Sequence, residues 1–224
     1  MTTAVFTHPS GLSHVTPPGH PERVDRLEAV THALAGESFD GLDRREAPLA
    51  DRAEVLRCHP EEYIARIEAA MPAEGWTSLD ADTHLSPGSL EAALRGVGGC
   101  TAAVDAVMAG EVANAFVAMR PPGHHAETET AMGFCLFGNV AIAAKRSLDH
   151  HGLSRVAIVD FDVHHGNGTQ DLLWDEARVR FASTHQMPLY PGSGASHEVG
   201  AHGQITNVPL NPGSGGVEMR AAYD

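Results

Sequence analysis

Basic side chains are scarce in this sequence. Fifteen Lys and Arg stand against 29 Asp and Glu over 224 residues, a formal net charge of −14. A protein that binds nucleic acid through its phosphates needs a basic surface, so direct nucleic-acid binding is not expected. The acidic excess suits a cationic partner instead, such as a lysine-rich tail or a polyamine. Cysteine is also sparse. Cys58, Cys100 and Cys135 are too few and too scattered for a disulfide framework or a cysteine zinc cage, so a reducing, cytoplasmic setting is the expectation. No apolar run approaches the length of a bilayer span. The opening MTTAVFTHPS lacks a basic stretch followed by an apolar core, so no signal peptide and no membrane association are expected. With 42% apolar residues a sizeable core is available, and no repeat or linker divides the chain. One domain over residues 1–224 is the reading.

Histidine is abundant, with fifteen residues, and its clustering matters more than its number. TAVFT (3–7) reads as a strand. HPERVDRLEAVTHALAG follows as a helix, with Pro21 in its first turn, an apolar stripe of Val24, Leu27, Val30 and Leu34, and a stop at Gly36. HPEEYIARIEAAM and the alanine-rich SPGSLEAALRGVGGCTAAVDAVMAG read as two more helices. The rhythm then alternates. NAFVAM (114–119), SRVAIVDFDV (154–163) and RVRFAST (178–184) read as strands, with helices in FGNVAIAAKRSLDHHG and GTQDLLWDEA. Such alternation predicts an α/β fold, three layers α/β/α around a mainly parallel sheet.

The polar clusters share one place in that pattern. RPPGHHAETETAMGF, HHGNG and HQMPLYPGSG each follow one of the three strands. All therefore fall beyond the carboxyl ends of parallel strands, where open α/β sheets build their sites. If the strand ending in VDFDV persists far enough, Asp160, Asp162 and His164 point to one side. Two carboxylates on an apolar strand are unfavourable unless paired or metal-bound. Asp162 and His164 offer one acidic oxygen and one imidazole nitrogen, a sensible pair of zinc ligands; a third ligand is not evident. The tandem His124-His125 in a Pro-Pro-Gly turn suits proton transfer, with Asp160 and Asn167 available to fix a tautomer. A lone His-His pair is usually a surface accident, and Asp at a strand end is often a turn former. The convergence of two histidine pairs and two alternating aspartates on one sheet edge favours a metal site.

At these residues the chain resembles the histone deacetylase family in its broad sense, including bacterial deacetylase-like amidohydrolases and acetylpolyamine amidohydrolases. The segments that carry the resemblance are PGHPERVDRL (18–27), RPPGHHAE (120–127), GFCLFGNVAIAA (133–144), VDFDVHHGNGTQD (159–171), YPGSG (190–194) and NVPL (207–210). The Asn in HHGNG resembles the class II branch. The resemblance implies an arginase/deacetylase-like fold and zinc-dependent removal of acetyl or acyl groups from lysine side chains or similar amines, with one Zn2+ per chain. It implies Asp162 and His164 as zinc ligands, and His125 as general base and general acid. His124 would stabilise charge near the attacking water, Asp160 would pair with His124, and Asn167 with His125. Gly133, Phe134 and Tyr190 would form a substrate tunnel. Asp160, Asp162, His164, Ser183 and Thr184 would hold a structural K+. The substrate would be an acetylated lysine peptide or protein, or an acetylated polyamine.

One departure tempers this. The family pattern continues with a third zinc-ligand Asp and a carbonyl-polarising Tyr or His, and the sequence to RAAYD contains neither. A domain truncated before its C-terminal third, with impaired activity, is therefore expected. Two rivals stand beside it. One is a two-manganese hydrolase of the arginase type, for which DFDVHH has too few carboxylates. The other is a non-catalytic module that binds acetyl-lysine or metal.

Overall fold

The computed structural model describes residues 2–224. The chain opens with β1 (Thr3–Thr7), α1 (Ser10–Ser13), α2 (Val24–Leu34), β2 (Asp43–Glu46), α3 (Arg52–Val55) and α4 (Glu61–Ala69). A small hairpin, β3 (Thr77–Ser78) and β4 (His84–Leu85), leads into the long α5 (Ser89–Met108). Then follow β5 (Asn114–Val117), α6 (Asn139–Asp149), β6 (Val156–Asp160), α7 (Asn167–Leu172), β7 (Val179–Gln186), β8 (Ile205–Leu210) and α8 (Gly216–Tyr223). The fold is α/β and mainly parallel, as expected. The strands form two three-stranded parallel sheets, β2-β1-β5 and β6-β7-β8, with β5 and β6 unpaired to each other.

Packing explains why these segments hold. On α6, Ala141, Ile142, Ala144 and Leu148 recur at helical spacing and are buried in the main core with Tyr63, Ile64, Ile67 and Phe137. A second, smaller core gathers Ala4 and Phe6 of β1 with Ala47, Ala106 and Val112. Gly98 lets α5 approach Pro48 so closely that a methyl group there would overlap the Pro48 carbonyl. No helix among the described residues is long and apolar enough to cross a membrane.

Three expectations need correction. The helix expected from Pro21 begins at Val24, and only Leu27 of its stripe is buried; Val30 is exposed. The strand expected over 154–163 ends at Asp160. β2, with sequence DRRE, and β8, with sequence ITNVPL, were not anticipated.

The N-terminal segment is tied to the rest by a buried ion pair. Arg120, just past β5, donates from Nε and Nη2 to both carboxylate oxygens of Glu22, and from Nη1 to the carbonyls of Gly11 (2.7 Å) and His14 (2.8 Å). Both side chains are almost wholly inaccessible. Burial alone would raise the Glu22 carboxyl; hydrogen bonds from His14 and Arg120 outweigh it and bring the group down to about 2. A group depressed in the folded state stabilises above its unfolded value, near 4.5, and loses that contribution as pH falls towards 2. Of the protein's acid destabilisation, about 3 kcal/mol is thus expected from Glu22, and Glu22→Gln should flatten that part of the denaturant-derived stability profile. Arg120→Met should cost ~3–5 kcal/mol at neutral pH by leaving the carboxylate buried and unpaired.

Candidate active site

Three loops converge beyond the carboxyl ends of β5, β6 and β7. The first carries Arg120, a cis peptide to Pro121, and the histidine pair. The rings of His124 and His125 lie 4.0 Å apart between centroids. The amide of His125 points to Cys135 Sγ at 3.4 Å, and the carbonyl of the next residue, Ala126, lies against Gly168, where a methyl group would overlap it. The amide of Thr169 donates to the carbonyl of His124 at 3.1 Å, so the start of α7 also clamps this turn.

The second loop holds the aspartates, by a different device from the one the sequence suggested. Beyond Asp160 the backbone is irregular, and strand alternation does not aim Asp162 and His164. Two successive side-chain turns do so. Asp160 Oδ1 accepts the amide of Asp162 at 3.1 Å, and Asp162 Oδ1 accepts the amide of His164 at 2.8 Å. His164 Nδ1 also lies 3.1 Å from Asp162 Oδ1, within hydrogen-bonding distance, so the two side chains sit side by side. The third loop brings Tyr190 edge-on to His125 at 5.1 Å and within 6.2 Å of His164.

Each histidine of the pair has its own partner. His124 Nδ1 is 2.9 Å from Asp160 Oδ2, and His125 Nδ1 is 2.7 Å from Asn167 Oδ1. The Asn167 amide is itself oriented, since its Nδ2 donates to Glu127 Oε1 at 2.7 Å. Asn167 therefore presents its oxygen to His125, which must carry its proton on Nδ1 and keep the Nε2 lone pair free. Burial, helped by the neighbouring His124 and His164, pushes His125 down to about 4; the Asn167 bond opposes this only in part. His125 is therefore a neutral base at pH 7. Burial would raise Asp160, but the His124 hydrogen bond and charge prevail and hold it below the usual carboxylate range.

Gly133 and Phe134 adopt left-handed backbone, φ +55° and +70°. At position 133 glycine is required on both counts, because it adopts this backbone without strain and a side chain there would run into the His125 ring. Phe134 stacks edge-on against His20 at 4.9 Å, and its amide donates to Thr83 Oγ1 at 3.0 Å. Ser183 and Thr184 are buried on β7, and Asp160 pairs in register with Ser183. The Thr184 hydroxyl meets the Tyr223 hydroxyl at 2.9 Å.

Several participants were not anticipated. Glu127 ends the RPPGHHAE segment but had no assigned role. Glu198 accepts the amides of Gly194 and Ala195 and binds Gln170 at 2.6 Å, which shapes the Tyr190 loop. Buried His165 and His185 pack 4.7 Å apart beneath it. Among the described residues, one group of three metal-capable side chains exists, Asp105, His150 and His151. It is not the expected site. His150 and His151 follow α6 and precede β6, at the amino end of the sheet, and Arg146 already binds both oxygens of Asp105.

Gly133→Ala should destabilise the protein by about 2–3 kcal/mol in denaturant melts, from left-handed strain plus displacement of His125. Gly152→Ala (φ +69°, nothing within 4 Å) should lose only the strain, about 1 kcal/mol.

Comparison with known proteins agrees with this geometry. The histone deacetylase domain matches residues 20–224. An uncharacterised protein of Synechocystis is 43% identical over 95% of this chain and 71% of its own length. A histone deacetylase-like amidohydrolase of Pseudomonas aeruginosa is 40% identical over 92% of this chain and 54% of its own. The crystal structure of an HDA15 HD domain superposes with a TM-score of 0.87 at 34% identity, covering 93% of this chain and 62% of that one. The chain thus spans between about half and seven tenths of these proteins. By sequence and by fold alike, it belongs to the histone deacetylase family of hydrolases.

Proposed function

We propose that this chain forms the histidine-bearing part of a zinc-dependent amidohydrolase that releases acetyl or related acyl groups from lysine side chains or similar amines. The observation that carries the reading is the unequal partnering of the two histidines: a carboxylate at His124, an amide oxygen at His125. A carboxylate offsets positive charge that develops on His124, whereas an amide leaves His125 neutral and basic. His125 Nε2 would take a proton from the attacking water and return it to the leaving amine. Tyr190 and Phe134 would flank the acyl chain. The acidic surface favours a substrate that carries cationic charge beside the amide, which lysine-rich proteins and acetylated polyamines share.

The donors suit zinc in kind. Asp162 and His164 offer the oxygen and nitrogen that zinc prefers, and they lie side by side, but a catalytic zinc takes three protein ligands. Bound there, zinc would acidify water and polarise the acyl carbonyl. Both side chains are open to solvent, at 49% and 37% exposure, so two ligands alone would hold the ion weakly. Ser183 and the neighbouring Asp160 are assigned to a structural potassium site with Asp162, His164 and Thr184, supported by their adjacency across β6 and β7.

The purified 224-residue chain should turn over an acetyl-lysine reporter at least about a hundredfold below ordinary deacetylase rates. His125→Ala should abolish what remains. Calorimetric titration should show weak zinc binding that His164→Ala removes and that Asp105→Asn leaves unchanged. A full rate from the chain alone, or zinc binding lost in Asp105→Asn, would overturn the assignment.

A further inference from the structure

Phe134 is the one non-glycine residue with left-handed backbone among the described residues, at φ +70°. A side chain is unfavourable there, where a glycine would not be. Strain of this kind persists only where surrounding contacts over-determine the conformation, and it gathers at functional positions. Two contacts from outside its own loop hold Phe134. Its amide donates to Thr83 Oγ1 at 3.0 Å, and its ring packs edge-on against His20 at 4.9 Å.

Thr83 and His20 are themselves fixed, and both act on one turn. Thr83 ends the turn between β3 and β4 and is wholly buried. Its amide and that of Asp82 donate to Asp80 Oδ1 at 2.6 and 3.0 Å, and the Leu79 amide donates to the Thr83 carbonyl at 2.8 Å. The Thr83 hydroxyl donates to Asp82 Oδ1 at 3.2 Å, which leaves a lone pair for the Phe134 amide. His20 grips the same turn, with Nε2 2.9 Å from the Asp82 carbonyl. A carbonyl only accepts, so Nε2 carries the proton; Nδ1 of the neutral ring then accepts the Glu22 amide at 3.1 Å. With both nitrogens engaged the ring cannot swing away, and Glu22 is held in turn by Arg120.

We propose that His20 and Thr83 are positioning residues that hold Phe134 in place and so restrict the site to amines whose chain beside the amide is thin and unbranched. The restriction rests on the reading of Phe134 and Tyr190 as tunnel walls; the support of Phe134 rests on the geometry alone. A chain that passes between two rings is selected for thinness only if neither ring yields. Phe134 does not yield while the His20 ring backs it and Thr83 fixes its backbone. Removing the His20 ring would leave a void, and neighbours relax part of the way into a void. Removing the Thr83 hydroxyl would leave the Phe134 amide without its acceptor and the strained backbone free to relax. Either change would widen the passage from the same wall.

The test uses the whole 224-residue chain with fluorophenylalanine at its seven phenylalanines, the Phe134 signal being assigned by its loss in Phe134→Leu. His20→Ala and Thr83→Val should shift or broaden the fluorine signal of Phe134. His20→Phe, which restores a ring, and Thr83→Ser, which restores the hydroxyl, should leave it as in the parent chain. Turnover is then compared between an acetyl-lysine peptide and a peptide in which a para-phenylene ring replaces the central methylenes of that side chain. In His20→Ala and Thr83→Val the kcat/KM ratio should move about tenfold or more toward the thick side chain, chiefly through its KM, and it should return in the two conservative variants. Either variant is decisive if the other fails to fold, as judged by the remaining fluorine signals. A Phe134 signal that does not respond overturns the proposal, and so does a signal that responds while the substrate ratio stays fixed. A signal that responds in a chain whose parent turns over neither peptide retains the support of Phe134 and rejects the amidohydrolase reading.

Discussion

Arg120 is the residue on which the rest of the site depends. It stands where β5 ends, and its guanidinium has four acceptors: both oxygens of Glu22 and the carbonyls of Gly11 and His14. A planar fork with five donors suits such a cradle, and lysine would not satisfy it. The pair fastens residues before α2 to the loop that carries the histidines, across about a hundred residues of sequence. His14 extends the tie into α5 through Ser89, at 2.6 Å. The Pro-Pro-Gly turn therefore leaves β5 from a fixed point, and His124 and His125 inherit that placement.

From there the arrangement is electrostatic. Two adjacent imidazoles at 4.0 Å could repel each other if both were charged. The partners divide them instead. Asp160 is anionic, and Asn167 is neutral and locked by Glu127. Burial acts in the same direction on His125, because a charged form there has little water to solvate it. A repeated residue type thus gains two different environments, set by what stands behind each ring.

Much of this was legible in the sequence. Strands of aliphatic and β-branched residues followed by glycine-rich polar loops mark β5, β6 and β7, and their carboxyl ends mark the site. The pairings of His124 with Asp160 and His125 with Asn167 were stated from family resemblance and are present as hydrogen bonds. What escaped has physical reasons. DRRE has the composition of a loop, yet it pairs along β1 because one edge and one face are all it needs to cover. ITNVPL contains Pro209 within a strand, which local propensity argues against; β8 tolerates it at the sheet's outer edge. The positions of Asp162 and His164 depend on side-chain turns that alternation cannot reveal. Glu127 acts through Asn167, two contacts from the chemistry, and no spacing rule finds it.

The split sheet could not be read from sequence either, and it links stability to function. Alternating exposure along β5 and β6 arises because successive side chains point to opposite faces and one face of each strand is more open than the other; Val159, an aliphatic residue, lies on the open face of β6. The same openness leaves Asp162 and His164 wet, where water competes for a cation and a high dielectric weakens every charge interaction at the site.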